Sequence, residues 1–380
     1  MSLRLFAAVL GAASLTALVA SCASKRDDTP APAPTPTPTG SVPPVPVKPA
    51  TCAEAAADIT VANVDLNGYP PYAVAGCTLV YVNASGALVM RDLTTAAESP
   101  VAEASETPHR PAISTDVLAW EATEGGHTVV RVRVRASGVT RTVAGTFVAA
   151  GEPRVSAASV VFTGWNGPAP ADDTDVWLYD ATADAAKMVL GGPAQQRYAD
   201  VSAAYVAAAD FSEDPDGRDD HNDRDLADII VLNRATGAIV KRHVVGFEKF
   251  PMLASTDVVA YLHWPEIHPE PKLQAYEIRS GIVGAADPAT DAKVAFPTYG
   301  GDYARPAINA ATLEWIGDNG GSTALWRAPA DGSSAPVQVQ GLPSGLRLFA
   351  PAPTAAFTVV ATATSATGGV LTPRLRAVPR

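Results

Sequence analysis

The chain has 380 residues, 47% of them hydrophobic and 18% charged, so it can bury a core and is not disordered as a whole. Its 28 basic and 39 acidic side chains leave a net charge of −11, a sign that argues against nucleic acid, whose phosphates are met by clustered Lys and Arg. Three cysteines leave little room for a disulfide scaffold, and no apolar run after residue 21 suggests a multispanning membrane protein.

Residues 1–21 read as an export signal: Arg4, then an almost wholly apolar Leu5 to Ala20, then small residues. The run is short for a spanning helix, and Lys25, Arg26, Asp27 and Asp28 follow at once. Val19-Ala20-Ser21-Cys22 resembles the lipobox of bacterial lipoproteins. That resemblance implies cleavage before Cys22, acylation of its thiol and of the new N-terminus, and a lipid bilayer as partner. Cleavage removes only Arg4 among the charges, so the mature chain carries 27 − 39 = −12. Each buried acyl CH₂ contributes about 0.8 kcal/mol, so several chains anchor durably. Ala23 rather than Asp follows the cysteine, which by the same resemblance favours the outer membrane of a two-membrane host. An ordinary secretory signal with an incidental cysteine is the alternative. The expected location is the cell envelope, lipid-anchored, on the periplasmic or surface face of the outer membrane where the host has two membranes.

Residues 29–50 carry proline at every second or third position over most of their length. Such a segment favours extended polyproline II, about 3.1 Å per residue, and cannot pack a core. The expected organisation is a signal at 1–21, an acylated cysteine with a Pro-rich tether at 22–51, and a folded domain at 52–380.

That domain repeats. Arg110-Pro111-Ala112-Ile113-Ser114-Thr115-Asp116-Val117-Leu118-Ala119-Trp120 matches Arg305-Pro306-Ala307-Ile308-Asn309-Ala310-Ala311-Thr312-Leu313-Glu314-Trp315, and Ser255 to Tyr261 copies the second half. With weaker copies, seven units start near residues 72, 111, 153, 198, 252, 306 and 351. Their spacing suits one four-stranded propeller blade each. The predicted second strands include Val117–Glu121 and Val160–Thr163. Third strands include Val129–Arg135, Val176–Tyr179, Ile229–Leu232 and Leu325–Arg327, and Pro336–Gln340 is a fourth. The seventh unit offers Phe357–Thr362 and Val370–Ala377 but no fourth strand. Asp58 to Val64, which belongs to no other unit, is expected to supply it and leave no open edge. The fold class is therefore all-β, a propeller of seven four-stranded blades closed by an N-terminal strand. Cys52 and Cys77 are the pair available for a disulfide in an oxidising compartment, with free thiols as the alternative.

The pattern Arg-Pro-Ala-Ile-Ser…Val-Leu-Ala-Trp, followed by strands such as Val176-Trp177-Leu178-Tyr179-Asp180, resembles the TolB-like and WD40-like propeller repeats of bacterial envelope proteins. The resemblance covers most of residues 68–380. The usual Ser-Pro-Asp-Gly turn is replaced by Ser-Thr-Asp, Ser-Ala-Ala or Asn-Ala-Ala, and no adjoining domain typical of TolB is expected before the propeller.

Familiar catalytic signatures are missing: no Gly-x-Ser-x-Gly elbow, His-Glu-x-x-His pair, Walker loop or Gly-x-Gly-x-x-Gly fingerprint occurs. The expanded second-to-third-strand loops are expected at 122–128, 164–175, 209–228, 262–272 and 317–323, all on one face with the turns that lead into the first strands. They hold Trp165, Trp264 and an acidic run from Asp210 to Asp228. Within that run, Ser212-x-Asp214-x-Asp216-Gly217-x-x-Asp220 approximates a calcium loop, making Asp214, Asp216 and Asp220 candidate ligands; a solvated acidic loop is the alternative. The turns before the first strands bring Arg110, Arg154, Arg197, Lys249, Arg305 and Arg347 toward the same mouth. An electropositive throat of that kind suits a carboxylate or acidic peptide. The expected function is a membrane-anchored, non-catalytic binding module for an envelope protein or glycan, with no certain cofactor. The alternative is a metal-dependent propeller enzyme of polysaccharide lyase or hydrolase type, with His263, Glu266, His268 and Glu270 as ligands.

Overall fold

Short runs rich in Val, Ile, Thr and aromatic residues, punctuated by Gly, Asn and Asp, favour strands over helices. The structure, a computed structural model, describes residues 51–62, 69–167, 173–214, 217, 226–243, 248–254, 257–263, 277–284, 291–295, 306–318, 323–342, 347–363 and 373–380. Six antiparallel four-stranded sheets follow one another along the chain, at 72–102, 109–142, 149–190, 196–243, 248–295 and 307–338. A three-stranded sheet at 347–379 ends the series. Spatial order equals chain order in every sheet, so each is a simple meander from inner to outer strand. These are blades one to seven of a propeller.

One backbone hydrogen bond shows the repeat most directly. In every blade the amide just past the third strand donates to a carbonyl in the turn between the first two strands. The pairs are Leu93 to Cys77, Arg135 to Asp116, Ala181 to Ala158, Arg234 to Ala204, Val283 to Asp257, Ala330 to Ala311 and Arg380 to Ala356, at 2.8–3.0 Å. In three blades the residue making this bond is an arginine that also bridges to the preceding blade. Arg135 donates to Thr78 Oγ1, Arg234 to Ser159 Oγ and Arg380 to Glu314. Second strands are the most buried, as in Val258–His263 and Phe357–Ala363, where every residue is buried.

The ring closes as the sequence predicts. The Asp58 and Val61 amides donate to the Leu375 and Pro373 carbonyls (2.8 and 3.0 Å), and the Leu375 amide donates back to Ile59 (2.9 Å). This short stretch is the fourth strand of blade seven. Pairing is seen over residues 58–61, while 63 and 64 lie outside the described residues. The Ala62 amide then reaches the Val82 carbonyl of blade one at 2.9 Å. Cys52 and Cys77 form a disulfide with Cα atoms 5.5 Å apart, fixing the closing segment to the first turn of blade one. A single helical turn, Cys52–Ala55, precedes the closing strand and starts at a Thr51/Glu54 capping box. The seam core joins Tyr72 and Leu79 of blade one to Val359, Ala361 and Leu375 of blade seven and to Val61. Across it the Ala361 amide donates to the buried Tyr72 hydroxyl oxygen at 2.8 Å, and burial holds that phenol well above its usual range.

One expected loop is absent. Residues 122–128 are not an expanded loop, because the second strand of blade two runs to Glu124 and the third begins at His127. Gly125 and Gly126, at φ of 60° and 84°, make the two-residue turn between them. Left-handed conformation at both central positions is what such a hairpin needs, and Gly-Gly supplies it without steric cost.

Candidate functional site

The inner strands share a defect that shapes the channel mouth. In five blades two residues oppose one on the neighbouring strand: Arg110-Pro111, Glu152-Pro153, Tyr198-Ala199, Phe250-Pro251 and Ala350-Pro351. Arg110, Glu152, Tyr198 and Phe250 sit there at φ of 49–57°. Proline lacks an N–H and suits a rung that has no partner. A bulge also re-aims the side chain before it, so charged and aromatic residues leave the ladder at one level of the channel.

Two buried carboxylates organise this level. Glu152, 2% exposed, receives Arg197 Nη2 at 2.6 Å and Thr163 Oγ1 at 2.9 Å, with Arg110 Nη1 at 3.9 Å. Glu121, also 2% exposed, accepts from the Glu152 amide, from Arg110 Nη1 at 3.2 Å and from the His109 ring. Burial alone would raise the Glu152 pKa, but the charges of Arg197 and Arg110 and their hydrogen bonds hold it below the usual carboxylate range. Burial disfavours charge on His109 in turn, yet its bond to Glu121 and that carboxylate's charge raise its pKa overall. The Trp165 ring and the Glu121 carboxylate flank the same space over Gly151.

Tyr69, 6% exposed, lies across the mouth. The guanidinium of Arg110 from blade two stands 4.4 Å from its ring centre, and that of Arg154 from blade three stands at 5.3 Å. Tyr69 also belongs to the core formed by Tyr198, Phe211, Leu253 and Tyr261 of blades four and five. A side chain from the start of blade one can meet blades two to five only by crossing the channel axis. Tyr69 therefore reaches into the channel at the level of the bulges.

Beyond the bulges, toward the turns joining first to second strands, a cavity of 220 Å³ is lined by the inner strands of all seven blades. Sheet register puts one residue of each blade on the same rung: Ala73, Ala112, Arg154, Asp200, Met252, Ala307 and Ala352. All line the cavity. The four alanines leave the space, and Arg154 and Asp200 put opposite charges side by side on adjacent blades. The Leu253 amide holds Asp200 Oδ2 at 2.8 Å.

The structure places Arg110, Arg154 and Arg197 near one level of the channel and Trp165 over Gly151, and it balances part of the charge. Arg110 and Arg197 are paired with Glu121 and Glu152, which sequence reading missed. A glutamate within the apolar run Val117-Leu118-Ala119-Trp120-Glu121 was the available signal, since ionised residues are rarely buried without partners. Lys249 lies 5.5 Å from the Phe211 ring centre. Arg347 begins the inner strand of blade seven. Cys22, the tether, Trp264, Arg305, Asp216 and Asp220 lie outside the described residues. Asp214 is described; its carboxylate accepts the Leu226 amide at 2.9 Å, closing the base of the acidic loop. His263 is buried opposite Glu277, while Glu266, His268 and Glu270 lie outside the described residues. Among the described residues no group of three or more His, Cys, Asp or Glu side chains is placed to hold a metal ion.

No protein-family model matches this sequence, and no curated protein does. Solved structures do match its fold. The chain is similar to the β-propeller domain of the trilobed protease from Pyrococcus furiosus at 10% identity and a TM-score of 0.59, covering 85% of this chain and 94% of that one. It is similar to the tricorn protease at 10% identity and a TM-score of 0.54, covering 85% of this chain and 35% of that one. TolB from Acinetobacter baumannii matches at 12% identity and a TM-score of 0.43, covering 65% of this chain and 57% of that one. The chain thus spans little more than half of TolB and about a third of tricorn, and at these identities the likeness is one of fold.

Proposed function

We propose that this protein is a lipid-anchored envelope protein whose propeller is a non-catalytic binding module for another envelope protein or a glycan. Acylation at Cys22 holds it to the bilayer, on the outer membrane where the host has two, and the Pro-rich tether sets the domain off the surface. The observation carrying the binding role is the channel cavity built from one rung of all seven blades, a concave site on a rigid scaffold. The Cys52–Cys77 disulfide supports export, since such bonds persist in oxidising compartments. The test is affinity capture from cross-linked envelope preparations with the full chain as bait. Recovery of one saturable partner, lost on competition with purified protein, is the expected result. Recovery of nothing above background from the native envelope would remove the binding-module reading.

A further inference from the structure

We infer that Lys241 and Asp291 condense within the folded chain to an isopeptide bond, a covalent stitch between blades four and five. Lys241 lies on the outer strand of blade four, Ile239–His243, and Asp291 stands just before the outer strand of blade five, Ala292–Ala295. Lys241 Nζ is 2.7 Å from Asp291 Oδ1, and the two side chains are only 2% and 1% exposed. The second carboxylate oxygen accepts the Tyr261 hydroxyl at 2.8 Å. Among the described residues the other acceptor near Lys241 Nζ is the Ile282 carbonyl, at 3.5 Å. Tyr261 belongs to the apolar core that joins Ile229 and Val231 of blade four to Val259 and Val283 of blade five. Gly281 leaves room for the pair, since a Cβ there would collide with both the carboxylate and the amine. An amine, a carboxylate and a hydroxyl donor are thus held in contact where solvent does not reach.

Burial and contact are what this condensation needs. Two reactants fixed against each other react as one molecule, at effective concentrations on the order of 10⁵ M or more. The step balances within the chain. One proton passes from the Lys241 ammonium to Asp291 Oδ1 across their hydrogen bond, leaving an amine with a lone pair and a carboxylic acid. A dry site solvates neither charge, which lowers the cost of losing both. Nζ then attacks Cγ, and the Tyr261 hydroxyl, already aimed at Oδ2, steadies the negative charge that grows there. The Nζ–Cγ bond forms and the Cγ–Oδ1 bond breaks. Oδ1 leaves as water, carrying the first proton and a second one from nitrogen, and the remaining amide N–H faces the Ile282 carbonyl. Nothing is oxidised or reduced, and no ligand takes part.

The experiment is mass spectrometry of tryptic digests of the full-length chain, incubated at neutral pH until the digest no longer changes. Trypsin cuts after Arg234, Arg242, Arg279 and Lys293 but not after a lysine whose amine is acylated. The expected product is peptide 235–242 joined to peptide 280–293, lighter than their sum by one water. Lys241→Arg, which keeps a cation beside Asp291, is expected to yield no joined pair while its far-ultraviolet circular dichroism stays that of the unmodified chain. Tyr261→Phe is expected to form the link roughly tenfold more slowly or worse, because the growing oxyanion loses its donor. A digest of the unmodified chain with only separate peptides, the first ending at a free Lys241, would show a plain buried ion pair and overturn the inference. Linkage at full rate in Tyr261→Phe would overturn the role given to the phenol. The unmodified chain decides by itself, so a variant that fails to fold leaves the inference fully exposed to that result.

Discussion

At Glu152 burial and charge oppose one another, and charge wins. Water is removed from the carboxylate, yet Arg197 and Arg110 keep its pKa below the ordinary range. The sign of the pH effect follows. Stabilisation from this group is complete above the unfolded glutamate value of about 4.3 and is lost as pH falls through the lower folded value. Glu152→Gln is expected to cost about 2 kcal/mol at neutral pH, because the half-buried Arg197 and Arg110 lose the charge of a buried carboxylate. Urea titrations at several pH values would check this: the variant's loss should shrink toward acid. A constant difference at all pH values would mean that the pair contributes no charge energy. Gly281 gives a second test of the same kind. A Cβ there would stand 1.7 Å from Asp291 Oδ1 and 2.5 Å from Lys241 Nζ, two buried groups paired at 2.7 Å. Gly281→Ala should break that pair and cost roughly 3 kcal/mol or more; an unchanged urea midpoint would contradict it. The repeated cations were legible at this scale, because Arg-Pro recurs. Their partners were not. Glu121 lies on the second strand, and only the bulge brings Arg110 back over it.

The elements were more legible than the residues. Seven copies of one strand grammar, and a leftover strand before the first copy, were enough to place the closing segment next to Leu375. Closure by so short a strand depends on its attachments, and the Cys52–Cys77 bond is the covalent one. Twenty-five residues of separation correspond in the chain-entropy model to about 3 kcal/mol. Cys77→Ser is therefore expected to lower stability by about that amount and to speed amide exchange at Asp58, Val61 and Leu375 before the rest of the ring. Exchange there that stays as slow as in blade four would show that the seam needs no covalent tie. The turn at Gly125-Gly126 was misread as a loop because the apolar strand pattern fades at Ala122, although Gly-Gly is itself a hairpin signal. The pocket rung was not legible either. Alanines at 73, 112, 307 and 352 look unremarkable apart, and become a cavity only when the register of five bulged and two short unbulged inner strands sets them at one height.

At the scale of the whole molecule, the propeller is a ring into whose channel Tyr69 reaches on the face where the first strands begin. The sequence points to the face with the longest loops, most of which lie outside the described residues, and the channel cavity lies beyond the bulges, toward the turns between first and second strands. Local pattern shows which loops are long but not how far a tyrosine reaches across an axis. The proposal that the propeller works from the envelope depends on Cys22. The direct measurement is membrane fractionation of cells carrying the native chain or Cys22→Ala, with a high-salt wash to remove peripheral contacts. The expected result is a native chain that stays in the membrane fraction and a Cys22→Ala chain recovered in the soluble fraction with its disulfide intact. A Cys22→Ala chain that remains membrane-bound after the wash would contradict lipid anchoring at this cysteine.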